Sequence, residues 1–526
     1  MKKLFYNGTI LTLEENIYAE ALLIEEEKIL KVGTLEEVEP FFDENTERVD
    51  LKGKIIMPSF IDAHSHFSAF ANSLLQVSLD SCTSFIEIQE TIKEFITKNE
   101  IPEGQWVIAK GYDHNHLQEK AHPKRDVLDI ASPKNPLLLQ HQSGHVGVFN
   151  SLGLEVLGVT ENIQSPLGGL IEKEGRALTG YMEETAFMKY QKMVPMADFQ
   201  KMMDSYKKVQ DLYLSYGITT VQEGMMVKEM IPIFQGLLKS NLLKIDIVGY
   251  MGISDEEPLK QAFPSAINKY DGHFKIGGYK IFLDGSPQGR TAWMRKPYLH
   301  EKEYCGYPTL EEEEIKEAII KANKDQLQLL AHCNGDRAAM EYCLCLEKSS
   351  YSKELRPVMI HAQLLDRDQL SKVKNLGIIP SFFIAHIFHF GDTHIQNFGL
   401  ERASRISLAK SALKKNIRFT FHEDSPVIAP NMWETIWVSR VRMTQKGIIL
   451  GEDEKIPVIE AIKAVTINAA YQYHEENQKG SLKEGKEASF IIIDKDPLVV
   501  EEHELRDIKV LETYAKGKCL YQKEGR

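Results

Sequence analysis

Cysteine is scarce in this sequence: six residues in 526, none in a Cys-x-x-Cys pair. That excludes a disulfide scaffold and a paired-cysteine zinc or redox motif, and Cys82, Cys305, Cys333, Cys343, Cys345 and Cys519 are expected to be reduced, mostly structural thiols. No stretch approaches the ~20 consecutive apolar residues of a membrane span. The opening Met1-Lys-Lys-Leu-Phe-Tyr-Asn-Gly8 turns polar too soon for a secretory signal, so a cytoplasmic location is expected. The 63 basic residues are dispersed among 76 acidic ones, for a net charge of −13, and no basic block of the kind that tracks phosphates is found. Nucleic acid and membrane are therefore not expected partners. A small-molecule substrate is, with a homodimer left open. Internal repeats, low-complexity tracts and flexible linkers are also lacking.

The length exceeds what one core usually serves, which predicts a large catalytic domain with a smaller satellite. Residues 3–13, 20–32 and 47–56 alternate apolar and polar positions between turn signals such as Asn7-Gly8 and Gly53, as half-buried antiparallel strands do. At the other end, 488–494 and 510–521 have the same character, with turns at Gly485 and Gly517. One β-sandwich made from both termini, residues 1–56 plus 471–526, is the economical explanation.

Between them, over 57–470, short apolar runs alternate with longer segments of helical period, the pattern of βα units around a parallel sheet. The runs are 55–66, 217–223, 243–251, 274–283, 327–333, 357–362, 377–384 and 417–424. Eight of them predict an α/β fold, a closed (β/α)8 TIM barrel. The gap at 67–216 is far longer than one crossover needs and holds two further apolar runs, 106–110 and 137–140. It is expected to be an elaborate insertion after the first barrel strand, over the barrel mouth.

His64 and His66 close the first run, and side chains at i and i+2 of a strand share a face, so both imidazoles could reach one metal ion. A His-x-His alone is weak evidence. Its weight rises because Lys280, His332, His361 and Asp424 fall at the ends of other runs, and those ends converge on one mouth of a barrel. A lysine on an apolar strand is otherwise costly, since a buried ammonium needs a partner or a shifted pKa.

This arrangement resembles the amidohydrolase superfamily, in its YtcJ-like, N-substituted formamide deformylase-like branch (amidohydrolase family 3), over nearly the whole chain. The matching segments are Met57-Pro-Ser-Phe-Ile-Asp-Ala-His-Ser-His66, Ser143-Gly-His145, Gly217-Ile-Thr-Thr-Val221, Lys280-Ile-Phe-Leu-Asp-Gly-Ser-Pro-Gln-Gly-Arg-Thr-Ala292, Ala331-His-Cys-Asn-Gly-Asp-Arg337, His361-Ala-Gln363 and Asp424-Ser-Pro426. The resemblance implies that His64 and His66 bind one metal with Asp424, that His332 and His361 bind a second, and that Lys280, carboxylated on Nζ, bridges the two. A free ammonium has no lone pair and repels a cation, whereas its carbamate offers two anionic oxygens. The cofactor implied is a divalent metal, one or two ions: Zn²⁺ suits imidazole and oxygen ligands, and Fe²⁺, Mn²⁺ or Co²⁺ can use similar ones. Such an ion lowers the pKa of a bound water to ~7 and polarises a carbonyl, and Asp424 is the expected general base, passing the proton to the leaving nitrogen.

The remaining candidates are less sharply defined. His145 follows an apolar run in the insertion and is a candidate substrate contact, as are Arg290 and His386; Arg290 and Arg295 flank Trp293 and could equally pair with acidic neighbours. His389 and His394 read as loop surface. Asp284 either initiates a turn or serves the site, and Asp336 is similar. Tyr112, Asp113, His114 and His116 either line a pocket or are solvated. Two positions depart from the family's pattern: Ser59 stands where Gly is common, and His422-Glu423 where Gly-Ser is frequent, which puts extra titratable groups beside the presumed base. The expected activity is metal-dependent hydrolysis of a non-peptide C–N bond, an amide or N-acyl or N-formyl amine. A deaminase or cyclic-amide hydrolase on the same scaffold, and a non-catalytic binding relative, are the alternatives.

Overall fold

The computed structural model describes residues 1–524 apart from 143 and 196–198. Eight parallel strands form one sheet in sequential order: Phe60–Ile61, Ile218–Met226, Asp246–Gly252, Phe274–Phe282, Gln328–Cys333, Val358–His361, Ile379–Phe382 and Thr420–Phe421. The six inner strands are buried almost without interruption, which is why they appear in the sequence as continuous apolar runs rather than alternating ones. Helices such as Ile231–Lys239, Glu312–Asp325 and Asp336–Lys348 follow the strands and supply the crossovers that parallel pairing requires. Past the ends of the outermost strands the backbone joins first to last: Asp424 N donates to His64 O (3.1 Å) and His66 N to Ser425 O (2.8 Å). The sheet is the barrel expected from the eight runs.

The first of those runs, 55–66, divides. Ile55–Pro58 lies in a different sheet, parallel to Thr9–Leu11 and antiparallel to Phe490–Ile493, and only Phe60–Ile61 begins the barrel. That second sheet has the order Lys518–Gln522, Val510–Ala515, Phe490–Ile493, Ile55–Pro58, Thr9–Leu11, Tyr18–Ala19, so strands from both ends of the chain interleave. A four-stranded sheet, Lys28–Gly33, Ala21–Glu25, Lys2–Tyr6, Glu47–Asp50, completes the sandwich. Phe5 from one end packs edge-on against Phe490 and Tyr514 from the other, with ring centroids 5.1 and 5.5 Å away, in a core shared with Ile10, Leu22, Ile56 and Ile492. The Asn7-Gly8 turn is required sterically: Asn7 has φ 58°, and a Cβ on Gly8 would stand 2.4 Å from Lys54 O.

By contact density the chain forms two compact units, Met1–Ser68 with the chain from Lys207 onward, and Ala69–Tyr206. The second has its own six-stranded sheet, ordered Gly169–Glu174, Ala177–Glu183, Val146–Phe149, Leu137–His141, Val107–Tyr112, Val77–Ser78. Val107–Tyr112 and Leu137–His141 are the two apolar runs visible in the sequence, and they pair in parallel. Two cores, one around Ile88, Ile92 and Leu128 and one around Phe149, Met182 and Phe187, cover its faces. All six cysteines are free thiols, four of them buried. Among the described residues no helix is long and apolar enough to cross a membrane.

Candidate metal centre

Lys280, His332 and His361 are carried by the fourth, fifth and sixth barrel strands, while His64, His66 and Asp424 lie just past the ends of the first and eighth. They form one connected cluster. Lys280 Nζ lies 3.3 Å from His64 Nε2. Asp424 Oδ1 stands 3.4 Å from His64 Nε2 and 3.4 Å from His66 Nε2. The His64 ring is 5.7 Å from that of His361, which is 4.6 Å from that of His332. Among the described residues, His64, His361 and Asp424 present ligand atoms within 4.8 Å of one another.

Residues to which the sequence assigned no ligand role hold these groups in place. Gln222, on the second strand, donates through Nε2 to Ala63 O (2.9 Å) and Tyr473 Oη (3.1 Å), which turns its Oε1 toward His64 Nδ1 at 2.5 Å. A carbonyl oxygen only accepts, so His64 carries its proton on Nδ1 and presents the Nε2 lone pair to the cluster. A Cβ on Gly224 would come within 2.7 Å of His64 Cε1, so the glycine makes room for the ring. His361 Nδ1 meets His422 Nε2 at 3.1 Å, and His422 Nδ1 meets Ser381 Oγ at 2.9 Å, a buried chain that fixes the His361 ring. His361 and Asp424 hold left-handed backbone, φ 68° and 53°, a conformation that costs a non-glycine residue about 1–3 kcal/mol and persists only where its surroundings enforce it.

Burial pushes the Lys280 ammonium down to about 7, against the attraction of Asp424. It also drives His64 and His361 well below the usual imidazole range, helped by Lys280 at His64 and by His332 and His422 at His361. His332 falls to about 4, again mainly by burial. For Asp424, burial opposes ionisation, but His66, His422 and Lys280 outweigh it and hold the carboxyl below its ordinary range. His64, His332 and His361 are therefore neutral imidazoles beside a carboxylate and an easily deprotonated amine, the protonation states that cation ligands need. The buried Asp424 Oδ1, moreover, accepts no hydrogen bond. A buried anionic oxygen without a donor is expensive, and a divalent cation is the partner this donor set suits.

The other sequence candidates have settled positions. Asp284 is buried, accepts backbone N–H groups from Trp293, Asn334 and Gly335 (3.0, 2.9 and 2.7 Å) and stands 3.7 Å from His332 Nε2, so it both braces the loop and abuts the cluster. Arg295 forks onto Asp336, Asp366 and Asp368. Arg290 pairs with Glu301 at 2.8 Å and lies over the Tyr298 ring. His386 is buried, with Nδ1 2.7 Å from His394 Nε2. His394 is not loop surface: the helix His386–Phe398 places it on the buried face, stacked on Phe398, and His389 on the same helix meets Glu434 at 2.7 Å. His145, in the Ala69–Tyr206 unit, is 3.1 Å from Glu184 and more than half exposed; Ser143 of its segment lies outside the described residues.

Gln222 offers a direct test of the positioning argument. Replacing it by leucine frees the His64 ring and removes its Nδ1 acceptor, and the expected result is about 10- to 100-fold weaker metal retention. Competition with a graded series of chelators measures this, and unchanged retention would contradict it.

A family model described as the amidohydrolase family matches residues 47–521. The YtcJ protein of Bacillus subtilis (strain 168) is 25% identical over 99% of this chain and 100% of its own. The N-substituted formamide deformylase of Arthrobacter pascens is 26% identical over 99% of this chain and 98% of its own. The crystal structure of an uncharacterized metal-dependent hydrolase from Pyrococcus horikoshii OT3 superposes with a TM-score of 0.77 at 27% identity, over 96% of this chain and 99% of that one.

Proposed function

From the premise that this chain belongs to the amidohydrolase family, we propose that it hydrolyses the C–N bond of an amide or of an N-acyl or N-formyl amine, with Asp424 as general base. The observation that carries this reading is the buried, unbonded Asp424 Oδ1 facing His64 and His66 at the ends of the barrel strands. In this reading His64, His66 and Asp424 would hold one divalent cation, His332 and His361 would hold a second, and Lys280 as its carbamate would be a shared ligand. A bound divalent cation supplies Lewis acidity toward the scissile carbonyl and an acidified water.

The chain's own residues do the rest. Asp424 takes the proton of the attacking water and later delivers it to the departing nitrogen, so that an amide and one water give a carboxylic acid and an amine. Gln222 and His422 keep His64 and His361 from rotating between turnovers. N-substituted formamides head the substrate list because the Arthrobacter pascens relative is named an N-substituted formamide deformylase.

The test is purified protein reconstituted with Zn²⁺ or Mn²⁺ and bicarbonate, offered a panel of N-formyl amines, N-acyl amines, cyclic amides and aminated heterocycles. Formate or carboxylate release from the first two classes is the expected result. Ammonia with the oxo product from the aminated heterocycles, and no formate or carboxylate from the other classes, would transfer the reading to deamination, and no turnover in a metal-loaded protein would overturn it.

A further inference from the structure

A second cluster of donor atoms lies wholly within the Ala69–Tyr206 unit. The parallel strands Val107–Tyr112 and Leu137–His141 end side by side, with Tyr112 in register with His141. The chain leaving Tyr112 turns at once and lays Asp113 and His114 against the end of the neighbouring strand. His114 Nδ1 is 3.1 Å from His141 Nε2, and Asp113 Oδ1 is 3.7 and 3.8 Å from those same two nitrogens. A triangle with these sides has a circumradius of about 2.1 Å, the distance at which imidazole nitrogen and carboxylate oxygen ligate Zn²⁺.

His122 adds a third ring. It stacks on His114 with centroids 4.0 Å apart, and its Nδ1 is engaged by Tyr112 Oη at 2.9 Å, which leaves Nε2 for an ion. Ligand atoms of His114, His122 and His141 all lie within 4.8 Å of one another. The carboxylate is held as an outer-sphere-supported ligand is held: Asp113 Oδ1 accepts from Asn115 N (2.9 Å) and Nδ2 (3.1 Å), and Oδ2 from Gln142 Nε2 (2.8 Å). Leu117, fully buried in the same core as Tyr112, anchors the segment that carries these residues.

We infer that His114, His122, His141 and Asp113 form a binding site for a divalent transition-metal ion, Zn²⁺ by ligand type, which staples the 113–122 segment to the ends of the two strands. Burial and the mutual proximity of the rings push His122 down to about 4 and lower His141, so at neutral pH these imidazoles are already the lone-pair donors that metal binding requires. His114, about one third exposed, gives the ion a way in, while Asp113 and His141 close the inner side. A stack of solvated histidines has no need for a carboxylate equidistant from two of their facing nitrogens.

The test removes the cluster at the barrel strand ends from the measurement. The full chain carrying His64→Ala and His361→Ala is stripped with chelator, titrated with Zn²⁺ and desalted. Metal content is read by mass spectrometry, and amide hydrogen exchange is followed along the chain. One zinc equivalent that disappears on adding His114→Gln and His122→Gln is expected, with exchange in residues 113–122 slowed about tenfold or more by zinc in the parent variant. The exchange result needs no further substitution, so a poorly folded quadruple variant does not obscure the answer. Zinc that leaves exchange at 113–122 unchanged, or an equivalent insensitive to the two glutamines, overturns the inference, whatever the substrate panel shows for the barrel site.

Discussion

Replacing Asp424 by asparagine is expected to lower kcat by about 10³- to 10⁴-fold while metal content stays near that of the parent protein. The side chains are nearly isosteric, and the amide keeps an oxygen that can face His64 and His66, 3.4 Å from each. The backbone tie from Asp424 N to His64 O is also kept. What asparagine lacks is the capacity to accept a proton from water and return it to nitrogen. The pH profile separates this loss from a structural one. His66, His422 and Lys280 hold the Asp424 carboxyl below its ordinary range, so the basic form exists throughout neutral pH, and the rate of the parent falls only as pH drops through that lowered value. The residual rate of the asparagine variant should lack that acid limb. A variant with full metal that keeps more than about a tenth of the parent rate would remove Asp424 from the role of general base.

Most of what locates this site was legible in the sequence, because a parallel barrel writes each buried strand as a short apolar run and places the residues at its end on one mouth. Lys280, His332 and His361 follow that logic directly. His64 and His66 arrive together for a different reason from the one their spacing suggested. The first strand ends at Ile61, so the pair does not share a strand face; the backbone bends after Asp62, is tied to Asp424 and Ser425, and brings the two rings to 5.1 Å in an edge-to-face arrangement. The run 55–66 also concealed the passage from sandwich to barrel at Pro58-Ser59-Phe60, since both sheets bury it equally.

What the sequence could not disclose are pairings between residues far apart in the chain. Nothing local marks Gln222 as the partner of His64, 158 positions away, or Gly224 as the space its ring occupies. His422 and Glu423 stood out only as a departure from the family's pattern. In the fold both are buried, His422 bracing His361 and Glu423 bonded to Thr435. In the insertion two apolar strands were visible, but Val146–Phe149, Gly169–Glu174 and Ala177–Glu183 were not, being short and half-exposed or hairpin-paired. His394 belongs to the buried stripe of its helix with His386, Ile387, Gly391 and Phe398, and histidine's polarity conceals that membership in the sequence.

Lys280 carries the other large expected effect. A buried amine brought down to about 7 is substantially neutral at physiological pH, and a neutral amine is the form that adds to carbon dioxide: the Nζ–C bond forms, one proton leaves to solvent and an anionic carbamate results. The bare amine offers at most one uncharged lone pair from Nζ, 3.3 Å from His64 Nε2, whereas the carbamate offers two anionic oxygens. Lys280→Met keeps the length and apolar packing of the stem but neither protonates nor carboxylates. The expected result is loss of at least one metal equivalent and a fall in kcat/KM of about 10³-fold, the scale of several kcal/mol of transition-state stabilisation withdrawn with the ion. Two further measurements tie the loss to the carbamate rather than to the lysine. Parent protein reconstituted with ¹³C-bicarbonate should show a carbamate carbon resonance that Lys280→Met lacks, and metal uptake should slow when carbon dioxide is purged from the buffer. A methionine variant that binds its full metal complement and turns over at the parent rate would show that the barrel site functions without this residue, and the bridging role would be withdrawn.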